Sequence, residues 1–412
     1  MKVVLRMLTV LTLVSAMISC GSKQEEVKTN MKYRVLGSTG IEVSEVSIGC
    51  GAFGKMDTAQ SRAFMDVAID SGVNYIDVYD ANPTVRANIG YALEGRRDAM
   101  VIQGHIGSYW NAETQQYERT RDVVKAQKGF QDLLDLLKTD HIEVGMIHII
   151  DDMADWDTIQ NSAFMNFVKQ LKSEGKIQHI GVSSHNANVA LAAAKSGLFE
   201  VIMFSLNPAF DRLSAEADAW NAESYKSMLP GIDPVRVELY DYCAQHQIAI
   251  TAMKVFASGG GRLLKAETSP LGKVFTPSQC IAYALAKPCV ATAVCGASNV
   301  EELLSDLAYL SATDEERDFA AVINNTESNA DGACTYCNHC SPCPQGISIA
   351  KVNEMLDKAE AAGAVSAELQ AEYDALPHHA SECTQCGSCE SRCPFDVPIR
   401  ERMKKAAEVF GK

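Results

Sequence analysis

The chain of 412 residues has no surplus of positive charge, since 37 Lys and Arg stand against 52 Asp and Glu for a formal net charge of −15. Binding nucleic-acid phosphates takes clustered basic side chains, and no basic stripe interleaved with aromatics occurs, so no nucleic-acid partner is expected. The chain also lacks a membrane span near its start, because the apolar run at residues 7–18 is shorter than the roughly 20 residues a span needs. What remains is a globular composition, 47% hydrophobic and 22% charged, with room for one large and one small domain.

The N-terminus has the form of an export signal. Lys2 and Arg6 precede the apolar run, which ends in the sequence MISCG and resembles a bacterial lipobox. The resemblance implies cleavage before Cys20 and lipidation of its thiol, which would anchor the protein to a bacterial membrane at the cell envelope. Residues 1–19 are then a lipoprotein signal peptide and residues 20–31 a polar tether. An ordinary cleaved signal is the alternative, and it also places the mature chain outside the cytoplasm.

Eight of the fourteen cysteines lie in two short blocks, CTYCNHCSPCP at residues 334–344 and CTQCGSCESRCP at residues 383–394. Each block sets three cysteines at every third residue and ends in Cys-Pro, the spacing that wraps thiolates around a 4Fe-4S cluster. Structural zinc and disulfides are the alternatives, but zinc sites need no terminal Cys-Pro, and loops this short favour a metal over disulfides. The blocks therefore predict two 4Fe-4S clusters.

The two blocks resemble those of bacterial two-cluster ferredoxins, in which the fourth cysteine of each run ligates the other cluster. The resemblance divides the eight cysteines into two ligand sets. One cluster is then held by Cys334, Cys337, Cys340 and Cys393, and the other by Cys383, Cys386, Cys389 and Cys343. Five further cysteines stand singly among apolar neighbours and are interpreted as buried small hydrophobes: Cys50, Cys243, Cys280, Cys289 and Cys295.

From residue 32 onwards, short β-branched runs alternate with longer helical segments, which is typical of repeated βα units around a parallel sheet. Eight candidate strands predict an α/β fold, a (β/α)8 TIM barrel over residues 32–312, with its site at the C-terminal ends of the strands. Residues 313–412 are predicted to form a small, mainly helical ferredoxin-like iron–sulfur domain that needs its clusters to fold. The candidate strands are residues 46–48, 75–78, 100–102, 144–149, 180–183, 201–204, 248–252 and 292–294.

Several segments within residues 32–312 resemble successive landmarks of the aldo/keto reductase family, in the family's order. The clearest are YRVLGSTGIEVSEVSIGCGAFG, GVNYIDV, GRRDAMVI, IGVSSHN, NPAFDR, AMKVFASGGG and CGASNVEELLSDL. With the cysteine blocks appended, the chain is similar to the branch of that family that carries a C-terminal ferredoxin-like domain. The resemblance implies a TIM-barrel oxidoreductase.

The family reduces carbonyls with a nicotinamide hydride, using an Asp, a Tyr, a Lys and a His. Asp77 matches the family's Asp and His148 its His, whereas Asn82 stands at the position of the Tyr and His105 at that of the Lys. The resemblance therefore predicts a catalytic site with two of its four residues changed.

Replacement chemistry can be written for the altered site as a hypothesis. Tyr79 shares strand parity with Asp77, so it is expected to face the barrel mouth and to donate a proton. Histidine is the side chain that ordinarily changes charge near neutral pH, so His105 is a second candidate acid, with Asp77 setting its tautomer. His148 would donate a hydrogen bond to an oxygen that gains negative charge. The alternative for each histidine is a structural role.

The cofactor pocket implied by the resemblance is also altered. Ser184 stands with Met203 and Leu206 where the family holds and stacks a nicotinamide, while Ser183 and Asn207 remain, and Lys254 is placed to meet an anionic group. At the adenosine end, Gly296, Ala297 and Ser298 precede a helix that can present N–H groups to a phosphate. Glu302 would repel the extra phosphate of NADPH but can accept a ribose hydroxyl, so a nicotinamide, if bound, is expected to be NAD(H).

Other segments bear on the mouth of the predicted barrel. The long insert at residues 214–236, which contains Trp220 and Tyr225, is interpreted as a lid. Tyr109 and Trp110, after the third candidate strand, are candidates for lining a sugar or aromatic-ring site, with ordinary packing as the alternative.

Three functions fit these features. The first is an oxidoreductase acting on an organic carbonyl, alcohol or sugar-type small molecule, with two clusters passing electrons to or from a partner. The second is a lyase or isomerase that uses His105 and His148 as acid and base, with structural clusters. The third is a non-catalytic envelope protein whose barrel binds a ligand. Fold analogy favours the first.

Overall fold

Eight parallel strands close into a barrel in a computed structural model of the chain, which describes residues 30–257, 260–324, 334, 336, 340–393 and 397–412. The order of the strands around the barrel is their order in the sequence. Two further strands, which come between the third and fourth barrel strands in the sequence, form a separate hairpin. The (β/α)8 prediction is therefore confirmed. The barrel strands are β3 (Val46–Gly49), β4 (Tyr75–Val78), β5 (Val101–Ile106), β8 (Ile142–Ile147), β9 (Ile177–Ser184), β10 (Val201–Ser205), β11 (Ala249–Met253) and β12 (Val290–Cys295).

The end of the barrel at which the strands begin is covered by an antiparallel hairpin, β1 (Tyr33–Val35) and β2 (Glu42–Ser44). Leu36 and Val43 of this hairpin are fully buried and join the apolar cluster inside the barrel, which also contains Val144, Met146 and Val201. With this end plugged, the opposite end, where the strands finish, is the mouth of the barrel.

Helices surround the barrel, and most of them bury an apolar face on it. Local capping explains several of their starts: Asp57 forms a capping box with Gln60 at α1, and Asp122 accepts from the backbone N–H of Lys125 at α3, at 2.8 Å. The helices are α1 (Thr58–Asp70), α2 (Pro83–Ala92), α3 (Val123–Leu137), α4 (Met153–Ile159), α5 (Ala163–Ser173), α6 (Ala187–Lys195), α7 (Pro234–Gln245), α8 (Pro277–Leu285), α9 (Val300–Leu307), α10 (Asp314–Arg317) and α11 (Ala320–Asn324).

A second antiparallel hairpin, β6 (Ser108–Asn111) and β7 (Gln116–Arg119), is inserted between β5 and α3 and rises over the mouth. Gly107 makes the turn into it with φ of 88°, and a Cβ there would lie 2.7 Å from the carbonyl oxygen of Thr120, so only glycine fits without strain. Trp110 pairs with Tyr117 across the hairpin. We refer to residues 108–119 as the mouth hairpin.

The long insert before α7 is fastened to the barrel wall by a buried carboxylate. Asp211 is fully buried and accepts from the hydroxyls of Tyr240 and Tyr283, at 2.6 and 2.7 Å, and from the guanidinium of Arg236. Its backbone carbonyl also accepts from the N–H of Asp233, at the end of the insert. Because a buried charge is stabilised only when fully hydrogen-bonded, these contacts hold α7, α8 and the insert in one arrangement.

The C-terminal part of the chain forms a small helical unit with its own core. Tyr373 and Phe410 stack with ring centroids 4.2 Å apart, and Met355 and Met403 are fully buried beside them. Its helices are α12 (Ile349–Ala362), α13 (Ala367–Asp374) and α14 (Ile399–Phe410). Among the described residues no helix combines the length and apolarity needed to cross a membrane.

The helical unit packs against the barrel through a cation. Lys351 of α12 contacts Asp241 of α7 at 3.1 Å, together with Glu354 and Glu372 of its own unit at 3.1 and 3.0 Å. Although burial opposes the charge, these carboxylates raise the pKa of Lys351. Tyr336 adds an apolar contact, because its ring packs on the barrel core while its hydroxyl donates to Asp357 at 2.7 Å.

Candidate functional site

The barrel mouth brings three of the four predicted catalytic residues to its floor. Asp77 comes from β4, His105 from β5, and His148 directly follows β8. All three side chains are almost fully buried, with at most 2% of their surface exposed. Neighbouring parallel strands end at the same edge, so residues distant in sequence meet here.

A continuous line of hydrogen bonds joins these side chains, and we call it the mouth relay. Asp77 Oδ1 lies 3.0 Å from His105 Nε2, and His105 Nδ1 lies 2.6 Å from His148 Nδ1. The far nitrogen of His148, Nε2, is hydrogen-bonded to the hydroxyl of Tyr117 on the mouth hairpin. The relay thus runs from a buried carboxylate to a phenol at the opening.

The inner end of the relay is oriented by Gln103, which precedes His105 by two residues and so points into the barrel on the same side. The hydroxyls of Tyr75 and Thr251 both donate to Gln103 Oε1, at 2.6 and 3.2 Å, which turns the amide nitrogen toward Asp77 at 2.6 Å. Asp77 Oδ1 therefore accepts from Gln103 and faces an N–H of His105. Two N–H groups aimed at one oxygen suit a carboxylate, which only accepts.

The fixed orientation of Gln103 and Asp77 determines which ring nitrogen of each histidine donates a hydrogen bond. If His105 is neutral and donates from Nε2 to Asp77, its Nδ1 can only accept, so His148 must donate from Nδ1. His148 Nε2 is then an acceptor for the hydroxyl of Tyr117. Burial, and after it the charges of His105 and Arg121, lowers the pKa of His148 well below its usual range, which favours the neutral ring.

Asn82, the remaining family position, and Tyr79, the predicted proton donor, take no part in the relay. Asn82, at the position of the family's Tyr, caps α2 by accepting from the N–H of Thr84 at 2.9 Å, ahead of Pro83 at the first helical position. Tyr79, the predicted proton donor, is 43% exposed, and its hydroxyl has no hydrogen-bond partner within the described ranges. Burial of its ring raises the pKa of Tyr79 above its ordinary value.

Lys254 directly follows β11, at the end of the barrel where the mouth lies, and has a left-handed backbone with φ of 60°. Its Nζ lies 5.6 Å from the ring centroid of Trp220 in the long insert, a cation–π distance. Burial lowers the pKa of Lys254, while the charge of Asp77 acts in the opposite direction. The insert thus lies beside the opening, as its interpretation as a lid requires.

The polar side chains predicted to hold a nicotinamide amide are engaged in the scaffold. Ser183 Oγ accepts from the N–H of Ile149 at 2.8 Å, and Ser184 Oγ donates to the carbonyl of Asn186 at 3.1 Å. Asn207 donates to the carbonyl of Lys254 at 3.0 Å and accepts from two backbone N–H groups at 2.9 Å. A nicotinamide amide bound by these side chains would have to replace some of these hydrogen bonds.

The backbone of the predicted phosphate loop is also already hydrogen-bonded within the protein. Glu302 accepts from the N–H of Ser298 at 2.8 Å, so this N–H already has a carboxylate partner. Gly296 is exposed and Ala297 is buried. A carboxylate on this N–H opposes the extra phosphate of NADP(H) by charge repulsion.

Two residues that lie at the mouth, His185 and Tyr117, were not predicted to belong to the site. His185 Nδ1 lies 2.9 Å from Asp151 Oδ2, and the His185 ring meets Trp220 edge-to-face with centroids 5.5 Å apart. Tyr117 is the other. A signal existed for it, because SYWN and QYER flank a short polar stretch as hairpin strands do, but nothing in that pattern indicated a partner on β8.

The cysteines of the second block converge with one from the first. Cys383, Cys386 and Cys389 line one cavity together with Cys343. These four are the predicted ligands of one cluster, and thiolates around a shared cavity fit an iron–sulfur group better than isolated sites would. In the described part of the chain, no three metal-binding side chains converge on the position of a single ion. Of the other predicted set, Cys334, Cys340 and Cys393 lie in the described residues and Cys337 outside them.

The chain thus combines a parallel-strand barrel that has buried acid–base groups at its mouth with a small cysteine-rich unit. The chain belongs to the Aldo/keto reductase family, whose profile matches residues 45–277, more than half of the chain, and it is an oxidoreductase. A 4Fe-4S dicluster domain matches residues 313–397, so the small unit is an iron–sulfur domain. Both resemblances seen in the sequence, to the family and to its iron–sulfur branch, are confirmed.

Named relatives agree with this assignment. The uncharacterized oxidoreductase YqkF of Bacillus subtilis is 27% identical over 323 residues, covering 69% of this chain and 94% of the relative. Among solved structures, the holo form of aldo-keto reductase AKR11C1 from Bacillus halodurans has a TM-score of 0.56 at 23% identity, covering 70% of this chain and 95% of its own. A putative aldo-keto reductase from Pseudomonas aeruginosa has a TM-score of 0.52 at 22% identity, with coverages of 68% and 94%. The solved structures support the barrel fold.

Proposed function

We propose that the protein interconverts an organic alcohol, or a sugar-type alcohol, with its carbonyl at the barrel mouth, and that two 4Fe-4S clusters pass the electrons between this reaction and a partner. The observation that carries the proposal is the mouth relay, a buried carboxylate–imidazole–imidazole line that ends at an open phenol. Oxidation of an alcohol releases protons as well as electrons, and such a line can take up the proton.

The electron count is consistent with the iron–sulfur domain. One alcohol oxidised to a carbonyl releases two electrons, and two 4Fe-4S clusters accept about one electron each. The hydrogen that leaves carbon carries an electron pair, so a two-electron carrier is needed before single-electron transfer to the clusters begins. In the family that carrier is a nicotinamide, and the carboxylate of Glu302 favours NAD(H) over NADP(H) if one binds here.

Anaerobically purified protein lacking residues 1–20 tests this function. We expect the visible absorbance of the oxidised clusters to bleach when the protein is mixed with a panel of secondary alcohols and aldoses, with NAD+ present in catalytic amount, and to recover with ferricyanide. Direct titration with NADH is the second arm, because bleaching there means that a nicotinamide delivers electrons through the barrel. Clusters that dithionite reduces but that neither the substrate panel nor NADH affects would contradict the proposal.

We further propose that the protein is anchored to a bacterial membrane through a lipid on Cys20, which lies outside the described residues. The support is the lipobox-like end of the apolar run at residues 7–18. In a bacterial host, Cys20→Ala is expected to move the protein out of the detergent phase and to abolish incorporation of labelled palmitate. Ser22→Ala is the matched control and should label normally. Labelling that survives Cys20→Ala would rule out the anchor.

A further inference from the structure

The mouth hairpin is anchored to the barrel next to the relay. Its two ends are fixed to the barrel beside His148: the hydroxyl of Ser108 donates to the carbonyl of Tyr79 at 2.7 Å, and the guanidinium of Arg121 donates to the carbonyl of His148 at 2.9 Å. Arg119 donates to the carbonyl of Ile149 at 3.2 Å. These contacts hold Tyr117 over the relay instead of leaving it on a free loop.

Of the tyrosines near the mouth, Tyr117 alone is hydrogen-bonded to the outer end of the relay in the described structure. Its ring also meets that of His148 edge-to-face, with centroids 5.4 Å apart and an interplanar angle of 81°. The residue keeps 41% of its surface exposed, so a substrate can approach it from the mouth. Asn82 at the family's Tyr position is a helix cap, and Tyr79 is not connected to the relay.

Resting on the function proposed above, we propose that Tyr117 is the catalytic residue that exchanges a proton with the substrate oxygen, and that His148, His105 and Asp77 store that proton. The hairpin thus supplies, from a different part of the chain, the phenol that position 82 lacks. Burial raises the pKa of Tyr117 to about 12, which keeps the phenol protonated at neutral pH.

The proton balance follows from the hydrogen bonds. In the oxidation direction the substrate carbon gives a hydride to the two-electron carrier of the proposed function, a nicotinamide. The substrate hydroxyl gives its proton to Tyr117 Oη, and the proton of Tyr117 moves to His148 Nε2. The Nδ1 proton of His148 moves to His105 Nδ1, and His105 becomes an imidazolium against the Asp77 carboxylate. In the reduction direction each transfer reverses, and Tyr117 donates to the carbonyl oxygen.

The presence of the stored proton therefore determines whether Tyr117 accepts a proton from the substrate or donates one to it. With the relay empty, the phenol donates inward and its lone pairs can accept from an alcohol. With the relay loaded, His148 donates outward and the phenol O–H is free for a carbonyl. Oxidation is thus expected to rise with pH and reduction to fall with pH, through one shared apparent pKa of the relay.

Other ionisable groups facing the relay affect its titration without joining it. The cationic or basic groups are Arg119, Arg121, His185 and Lys254. The groups that carry or can gain negative charge are Cys50, Tyr75, Tyr79 and Asp80. None of these groups lies in the line of hydrogen bonds from Asp77 to Tyr117, so their charges displace the shared pKa but leave the opposite pH trends of the two directions intact.

Tyr117→Phe is the test, since phenylalanine keeps the ring contact with His148 and removes only the hydroxyl. With 4-nitrobenzaldehyde and a panel of secondary alcohols as probes, we expect kcat to fall about 10²-fold with little change in KM, and the solvent deuterium isotope effect on kcat to disappear. Tyr91→Phe, at an exposed position of α2, is the control and should retain activity, whereas a loss in Tyr79→Phe as large as that in Tyr117→Phe would overturn the assignment of the proton donor to Tyr117.

A measurement without substrate separates this proposal from the proposed function. In protein labelled with 15N-histidine, the wild-type Nε2 of His148 is expected at the shift of an unprotonated, hydrogen-bonded nitrogen and should move on Tyr117→Phe. If no probe is turned over but this shift moves, the proposed function fails while the Tyr117 relay stands. The relay is overturned if Tyr117→Phe has the wild-type kcat, or if the 15N chemical shift of His148 Nε2 is the same in Tyr117→Phe as in the wild type.

Discussion

Cys343→Ser is expected to lower the iron content of the anaerobically purified protein from about eight to about four atoms per chain, with a matching loss of sulfide. The cluster lost should be the one held by the second block, although Cys343 belongs to the first. The reason is the shared cavity, in which Cys343 joins Cys383, Cys386 and Cys389. A serine hydroxyl is a poor replacement for a thiolate toward iron, because soft ligands are preferred.

Double variants give the sharpest form of this experiment. Cys343→Ser with Cys389→Ser should lose no more iron than either single variant, since both remove ligands of the same cluster. Cys343→Ser with Cys334→Ser should lose nearly all of it, because Cys334 is predicted to serve the other cluster. The reverse pattern would mean that each block holds its own cluster and that the ferredoxin-like exchange of the fourth cysteine is wrong.

A structural consequence accompanies the loss of iron. Cys340 and Cys389 lie within the core of the small unit, beside Met355, Leu356 and Met403. A unit of this size buries too little apolar surface to be stable alone, so cluster binding contributes to its folding free energy. The small unit of Cys343→Ser is therefore expected to become sensitive to proteases, while the barrel stays resistant.

Asp77→Asn is expected to lower kcat by about 10³-fold with KM nearly unchanged, because it removes the charge that stabilises the loaded relay. Asparagine has the same shape and can still accept from Gln103 and His105, so the fold should be retained. It cannot stabilise an imidazolium at His105 as a carboxylate does. The effect should be measured on the probe that the wild-type protein turns over fastest, in both reaction directions.

The control for this substitution is Asp70→Asn, at the exposed end of α1, which should behave as wild type. The pH trends add a second readout: in Asp77→Asn the loaded relay forms only at lower pH, so the profile of the oxidation direction shifts toward acid. Activity and pH profile that match the wild type would show that the proton does not pass through Asp77.

The barrel was predictable because its signals are local and repeated. Short β-branched runs such as residues 75–78 and 201–204 coincide with β4 and β10 to within one residue, and each is followed by a helical segment. Helix starts such as Asp57 with Gln60 depend on residues three apart. The cysteine spacing is equally local, so the iron–sulfur domain was visible without any tertiary information.

The working arrangement of the mouth was not predictable in the same way. Asp77, His105 and His148 were identified singly, but their order as donors and acceptors depends on Gln103, whose amide is turned by Tyr75 and Thr251. Ser183, Ser184 and Asn207 were expected to hold a cofactor, yet in the structure their polar atoms serve the scaffold. Residue type alone does not reveal whether a polar group is already bonded.

The sequence by itself determined the class of protein: a (β/α)8 barrel of the aldo/keto reductase family followed by an iron–sulfur domain. Only the tertiary structure decided which phenol stands at the relay, because Tyr117 lies 31 residues from His148 in the chain and meets it through the mouth hairpin. The structure also places Cys343, which the ferredoxin resemblance assigned to the cluster of the second block, in one cavity with the three cysteines of that block. The physical reason is that helix, strand and ligand-loop signals act over a few residues, whereas a hydrogen bond or shared cavity between distant segments depends on how the whole chain packs.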